Sequence, residues 1–180
     1  MKATGIVRKI DELGRIVIPK EIRKTMKIKE GESLEIYVEN DDEVILKKYD
    51  PMSEQKSQLE NYAQTLAEET GLIVLVTDTK EVVISCGKNS KGYANNEISQ
   101  ELEKVINKRN FVSSKDIGII KLVEDDKIKD VVSQAIAPII SDSDLMGSVI
   151  LISKDMNRQI TQNDLKILQI SKNYLARLFE

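Results

Sequence analysis

Alternation of apolar and polar positions divides the first fifty residues into short strands around one short helix. Gly5 to Ile10 reads as a strand, Asp11-Glu12-Leu13-Gly14 as a tight turn in which Gly14 supplies a φ above zero, and Arg15-Ile16-Val17-Ile18 as the returning strand. Pro19 fixes a helical φ and pushes Ile18 toward extended backbone. The pattern therefore predicts a helix over about 19–27, with Ile22 and Met26 inward and Arg23, Lys24 and Lys27 outward. After a turn at Glu30-Gly31-Glu32, Leu34, Ile36 and Val38 alternate with Glu35, Tyr37 and Glu39, the period of a half-buried strand. Asn40-Asp41-Asp42 turns the chain again into a strand over 43–48. Two hairpins and one helix enclose too little interior to be stable alone. A second copy, its hairpins interleaved with the first, would complete the core at low cost.

Pro51-Met52-Ser53 interrupts the pattern and sets the expected boundary between a domain over 1–52 and a second over 53–180. A helix at 53–70 carries Leu59, Tyr62, Ala63, Leu66 and Ala67 on one face. Strands follow at 72–77 and 82–86, then a polar loop at 87–97 and a helix from Ser99 bearing Leu102, Val105 and Ile106. Further strands are expected at 117–123, 131–139 and 145–153. Thr161 and Asp164 start a closing helix over 161–179 as a variant capping box, with Ile167, Leu168, Tyr174, Leu175 and Leu178 along its face. This order describes an α+β domain with an antiparallel sheet covered by helices, behind a β-rich N-terminal module.

Charge changes the picture of the first module. The chain carries a net charge of -3, but residues 1–29 hold nine Lys or Arg against three Asp or Glu, and residues 30–50 hold two against eight. A small binding face feels this local field more than the sum. Arg8, Lys9, Arg15, Arg23 and Lys24 are the candidate contact residues: two on a strand, one at a turn edge and two at a helix start. Guanidinium groups can pair with guanine edges or phosphate oxygens, and lysines can neutralise phosphates. Ordinary solvated charge is the competing explanation, and it loses weight because the basic block is followed by a predominantly acidic hairpin.

Other candidate chemistry is thin. One cysteine, Cys86, excludes an intrachain disulfide framework, and the absence of histidine removes histidine dyads and histidine-ligated metals. Cys86 ends an apolar strand, where a small buried thiol is the default and a redox sensor the exception. The acidic run Glu39 to Glu43 lacks the ligand spacing of a calcium loop, and Ser85 to Lys91 lacks the spaced glycines of a phosphate loop. No nucleophile has a general base beside it, so an enzyme is not expected. No run approaches a membrane span and no signal-peptide core is evident, which gives the cytoplasm as the expected compartment. No cofactor is implied. The loop at 87–97 offers polar groups to a small-molecule effector, but no charge or aromatic cage that would identify one.

The segment TGIVRKIDELGRIVIPKEIR resembles the swapped-hairpin DNA-binding module of the AbrB family of bacterial transition-state and sporulation regulators, and the similarity extends from Met1 to Lys48. The resemblance implies a homodimer of interleaved hairpins that binds double-stranded DNA. It places the family's basic positions on Arg8, Lys9, Arg15 and Arg23. The next position, often arginine in relatives, is Lys24, which keeps charge without a guanidinium fork. Residues 53–180 resemble a GAF-type sensory domain, as in two-domain family members. Such members regulate late forespore genes, as activator and repressor, at the nucleoid. The second domain is expected to self-associate and to join two dimers into a homotetramer. An antitoxin-like partner, whose hairpin dimer neutralises a toxin, is the alternative, and the packed second domain weighs against it.

Overall fold

Pro19, with φ -58 and ψ 148, is the residue at which extended chain becomes helix in the computed structural model, which describes residues 5–28, 30–31, 33–40, 42–124 and 130–180. The chain divides into two compact units, Met1–Asp50 and Pro51–Glu180. The division falls just before the expected boundary, because Pro51 opens a helical turn whose Met52 is buried in the second unit's core.

In the first unit, helix α1 spans Lys20–Thr25, shorter than expected. Its end is set by Lys27, which takes a left-handed φ of 54. Ile28 N–H then donates to Arg23 O at 2.8 Å and Lys27 N–H to Lys24 O at 3.2 Å, the paired closure of a Schellman motif. Strands β1 (Leu34–Glu39) and β2 (Glu43–Lys48) form an antiparallel hairpin with Ile36 opposite Leu46 and Val38 opposite Val44. The expected turns at 30–32 and 40–42 each include a residue outside the described set, Glu32 and Asp41 respectively. The strands expected at 5–10 and 15–18 are not formed as a ladder within the chain. At the turn between them Asp11 N–H donates to Arg15 O, at 3.0 Å. Among the described residues of this unit only Pro19 is buried.

The second unit has a conventional interior. A short helix α2 (Pro51–Glu54) leads into α3 (Lys56–Thr70), which stops at Gly71 in the left-handed conformation. Strands β3 (Ile73–Thr77) and β4 (Val82–Cys86) form a hairpin, helix α4 (Gln100–Asn107) follows, and a two-residue strand β5 (Val112–Ser113) leads into the helical turn α5 (Ser114–Ile117). Strands β6 (Ser133–Ser141) and β7 (Asp144–Ser153), then helix α6 (Gln162–Ala176) with a terminal 3-10 turn at Arg177–Phe179, complete the unit. The sheet order is β4-β3-β7-β6-β5, antiparallel throughout.

Both faces of the sheet are covered. Val74, Val76, Ala135, Ala137, Val149 and Leu151 pack with α3 and α6 on one side, and Ile73, Leu75, Ile136, Ile150 and Ile152 pack with α4 on the other. Central strands buried on two sides read as continuous apolar runs, which is why β3 and β7 were so plain in the sequence.

The strand expected at 117–123 is absent. Ser113 and Asp116 close a capping box that starts α5 there, and the edge position beside β6 is taken by β5. Of the apolar residues of 118–123, Leu122 and Val123 are buried and Ile119 is exposed, and the segment's backbone is satisfied by other means. With the Gln134 amide oriented so that both groups are satisfied, Ile120 N–H donates to its Oε1 at 2.6 Å and its Nε2 donates to Ile120 O at 3.2 Å, so one buried side-chain amide does the work of a strand partner. Ser99 N–H donates to Leu122 O at 2.9 Å, tying the segment to the start of α4.

Candidate nucleic-acid interface

All five basic candidates, Arg8, Lys9, Arg15, Arg23 and Lys24, are exposed on the first unit. Arg23 and Lys24 lie in the last turn of the six-residue α1, not at its start as expected from Pro19. There they face the negative end of the helix dipole. Arg8 donates from Nη1 to Val7 O at 3.2 Å and rims an apolar groove of about 270 Å³, lined also by Ile16, Ile18, Pro19, Ile22 and Leu46. The groove thus brings Arg8 beside the second extended segment and α1.

Arg15 is held most definitely. Asp11 closes the turn by accepting at Oδ1 from the N–H groups of Leu13 (3.0 Å) and Arg15 (2.8 Å), and at Oδ2 from Arg15 Nε (2.8 Å). These bonds hold the Asp11 carboxyl below the usual carboxylate range, the Arg15 backbone N–H first and its side chain second. The reading from sequence overlooked Asp11 as a partner of the face; the signal was an aspartate four residues before an arginine across a glycine turn.

The acidic hairpin offers a different surface. Tyr37 OH donates to Glu35 Oε2 at 2.7 Å, and the Lys47 ammonium sits 4.4 Å from the Tyr37 ring centroid. Lys48 Nζ donates to Lys27 O at 2.7 Å, tying β2 to the end of α1. On the other side of the hairpin, Ile36, Val38 and Val44 are 66%, 72% and 68% exposed.

In the second unit, a cavity of about 280 Å³ is lined by Tyr93, Ile119, Lys121, Leu122, Asp130 and Val131. The loop at 87–97 contributes Tyr93 to this cavity, and its base is fastened to β4, Ser85 Oγ donating to Ser90 O at 2.6 Å and Ser90 Oγ to Ser85 O at 3.4 Å. Among the described residues no helix is long and apolar enough to cross a membrane.

Known protein families match two parts of the chain separately. Residues 54–180 match the family described as stage V sporulation protein T C-terminal, transcription factor, and residues 7–54 match antidote-toxin recognition MazE, bacterial antitoxin. Stage V sporulation protein T of Bacillus subtilis (strain 168) is 41% identical over 180 residues, covering 100% of this chain and 99% of that protein. The transition state regulatory protein AbrB of the same organism is 48% identical over 85 residues, covering 47% of this chain and 88% of AbrB. The fold of the second unit is similar to the GAF domain of PixJ from Thermosynechococcus elongatus, in its blue-light absorbing form, with TM-score 0.52 and 13% identity, covering 73% of this chain and 90% of that one. With residues 54–180 matched by one family and a relative aligned along its full length, the chain belongs to the stage V sporulation protein T and AbrB family of DNA-binding transcription regulators.

Proposed function

We propose that the chain binds double-stranded DNA with sequence preference as an obligate dimer of interleaved hairpins, through Arg8, Lys9, Arg15, Arg23 and Lys24 of both copies, to activate or repress sporulation genes late in the forespore. The observation that carries this is the combination on one unit: exposed basic groups stand on a scaffold whose apolar hairpin face is itself uncovered. A second copy would bury that face and duplicate the cations about a two-fold axis, as a two-fold duplex site requires. Arginines supply bidentate readout of guanine or phosphate, and lysines supply sequence-independent attraction.

The test is salt-titrated binding of full-length protein to a duplex selected from a random pool. Affinity should fall steeply with salt, each phosphate contact adding about 0.9 to the log-log slope. Arg15→Ala and Arg23→Ala should each weaken specific binding by about 1–3 kcal/mol while circular dichroism stays unchanged. Undiminished affinity in both variants overturns the face.

For the second unit we propose self-association through α6, joining two DNA-bound dimers. A second role, reception of a small-molecule effector, is supported by the cavity beside Tyr93 and Lys121. The antitoxin reading has one observation in its favour, the match over residues 7–54. Under that reading a toxin encoded beside this chain would bind the hairpin dimer, and the two arginine variants would leave DNA affinity untouched.

A further inference from the structure

We infer that Asp11 is a positioning residue of the DNA face: its carboxylate presents the Arg15 guanidinium for base reading and damps the residue's attraction to phosphates that carry no sequence information. The inference rests on Arg15 being a DNA contact, as proposed above.

The two oxygens of Asp11 have separable duties. Oδ1 accepts the backbone N–H groups of Leu13 and Arg15, which closes the turn, assisted by Gly14 N–H donating to Asp11 O at 3.0 Å. Oδ2 contributes nothing to the backbone. Among the described residues it accepts from Arg15 Nε alone, at 2.8 Å. A guanidinium has five N–H donors, one on Nε and four on the terminal nitrogens. Held at Nε, it keeps all four terminal donors for the end-on fork that matches O6 and N7 of guanine. The Arg15 side chain is 71% exposed, so without a tether its rotamer freedom would have to be surrendered on binding DNA. Asp11, 42% exposed itself, also places a negative charge against the guanidinium, where it offsets part of the field a phosphate would feel. Ordering favours the correct site; offset charge weakens every site alike. Ordering therefore raises the ratio of specific to non-specific binding, while the offset charge lowers the affinity for both.

Asp11→Asn separates these duties. The amide oxygen can still accept both backbone N–H groups, while the amide nitrogen facing Nε would set donor against donor and release the guanidinium. Binding to the selected duplex and to a random-sequence duplex of equal length would be measured for wild type, Asp11→Asn, Arg15→Ala and the double variant. Asp11→Asn should bind the random duplex more tightly and lower the specificity ratio about tenfold. In the Arg15→Ala background it should leave that ratio unchanged, which a general loosening of the turn would not do. If Arg15→Ala weakens specific binding but Asp11→Asn leaves the ratio intact, or lowers it equally in both backgrounds, the inference is overturned and the DNA face stands. If Arg15→Ala has no effect, the face itself is wrong. The Arg15 Nε–H resonance of unliganded wild-type protein gives a check that needs no variant to fold: slow hydrogen exchange supports the tether, and exchange at the rate of a free arginine side chain overturns it.

Discussion

Asp164 joins three parts of the second unit through one carboxylate. Arg158 donates to it from both terminal nitrogens, at 2.9 and 2.7 Å, and reaches on to Thr70 O at 3.0 Å; Thr161 donates to it from N–H and Oγ1, both at 2.7 Å. Burial raises the Asp164 carboxyl, but the bonds from Arg158 and then Thr161 outweigh it and bring the pKa to about 2. A carboxyl depressed on folding stabilises the protein above its unfolded pKa of 3.8, and that contribution is lost as pH falls toward the folded value. Urea unfolding should therefore show on the order of 2 kcal/mol lost between about pH 4 and pH 2 from this group. Asp164→Asn should be destabilised by about 2 kcal/mol at neutral pH, with the acid-dependent part removed. Gly147 makes a sharper demand: it has φ +154 at a register shift in β7, and a Cβ there would lie 1.8 Å from Thr77 O. Gly147→Ala should cost on the order of 3 kcal/mol or more in the same assay. The capping partners Thr161 and Asp164 were legible from their spacing. Arg158 was not, because a pair closed across a loop leaves no periodic trace. Gly147 left one, an isolated glycine within an apolar strand, whose meaning depends on a neighbouring backbone that sequence does not place.

Among the elements, the same logic separates what periodicity reveals from what it hides. The strands at 34–38, 72–77 and 82–86 were recognisable because their partners adjoin them in sequence, so one hairpin fixes both pattern and pairing. The segment 117–123 has the composition of a strand, yet its backbone is satisfied by Gln134 and by the start of α4; apolar content reports burial and leaves the hydrogen-bond partner undetermined. In the first unit the discrepancy points the other way. Residues 5–10 and 15–18 carry strand patterns without a ladder inside the chain, and Val7, Ile10 and Val17 are 85%, 69% and 72% exposed. Fully burying such a side chain contributes about 1.5–3 kcal/mol, so leaving these three uncovered would forfeit an amount comparable to a small domain's net stability. Residues 1–50 made alone should accordingly unfold at a temperature that rises with protein concentration, and should sediment as a dimer. A folded monomer at micromolar concentration would contradict the interleaved arrangement.

For the whole molecule, the question is what a second unit would add to the proposed dimer with its two DNA faces. On α6, Leu168, Ser171 and Leu175 are buried, while Ile167, Ile170 and Tyr174 are 37%, 65% and 46% exposed at spacings of three and four, forming a separate stripe. That stripe rests on a firm base. Tyr174 stacks on Tyr62 of α3 with ring centroids 4.9 Å apart, and Tyr62 OH donates to Ser171 Oγ at 2.9 Å. A preorganised apolar strip of this kind suits a second copy of itself, related by a two-fold axis independent of the one in the DNA module. Were the two axes to meet at right angles, the two interfaces would close a tetramer, in which occupation of one half-site by the first DNA module would raise the effective concentration of the other at a neighbouring half-site. Affinity for paired sites would then exceed that for a single site by about a hundredfold without any new base contact. Ile170→Glu places a charge in the strip and leaves the buried side of α6 untouched. Light scattering should find wild-type protein as a tetramer and the variant as a dimer, with binding to a single site equal in both and the advantage at paired sites lost in the variant. Should residues 51–180 stay monomeric and the full chain never exceed a dimer at any concentration tested, the strip has another purpose and the second unit acts on DNA binding by a different route.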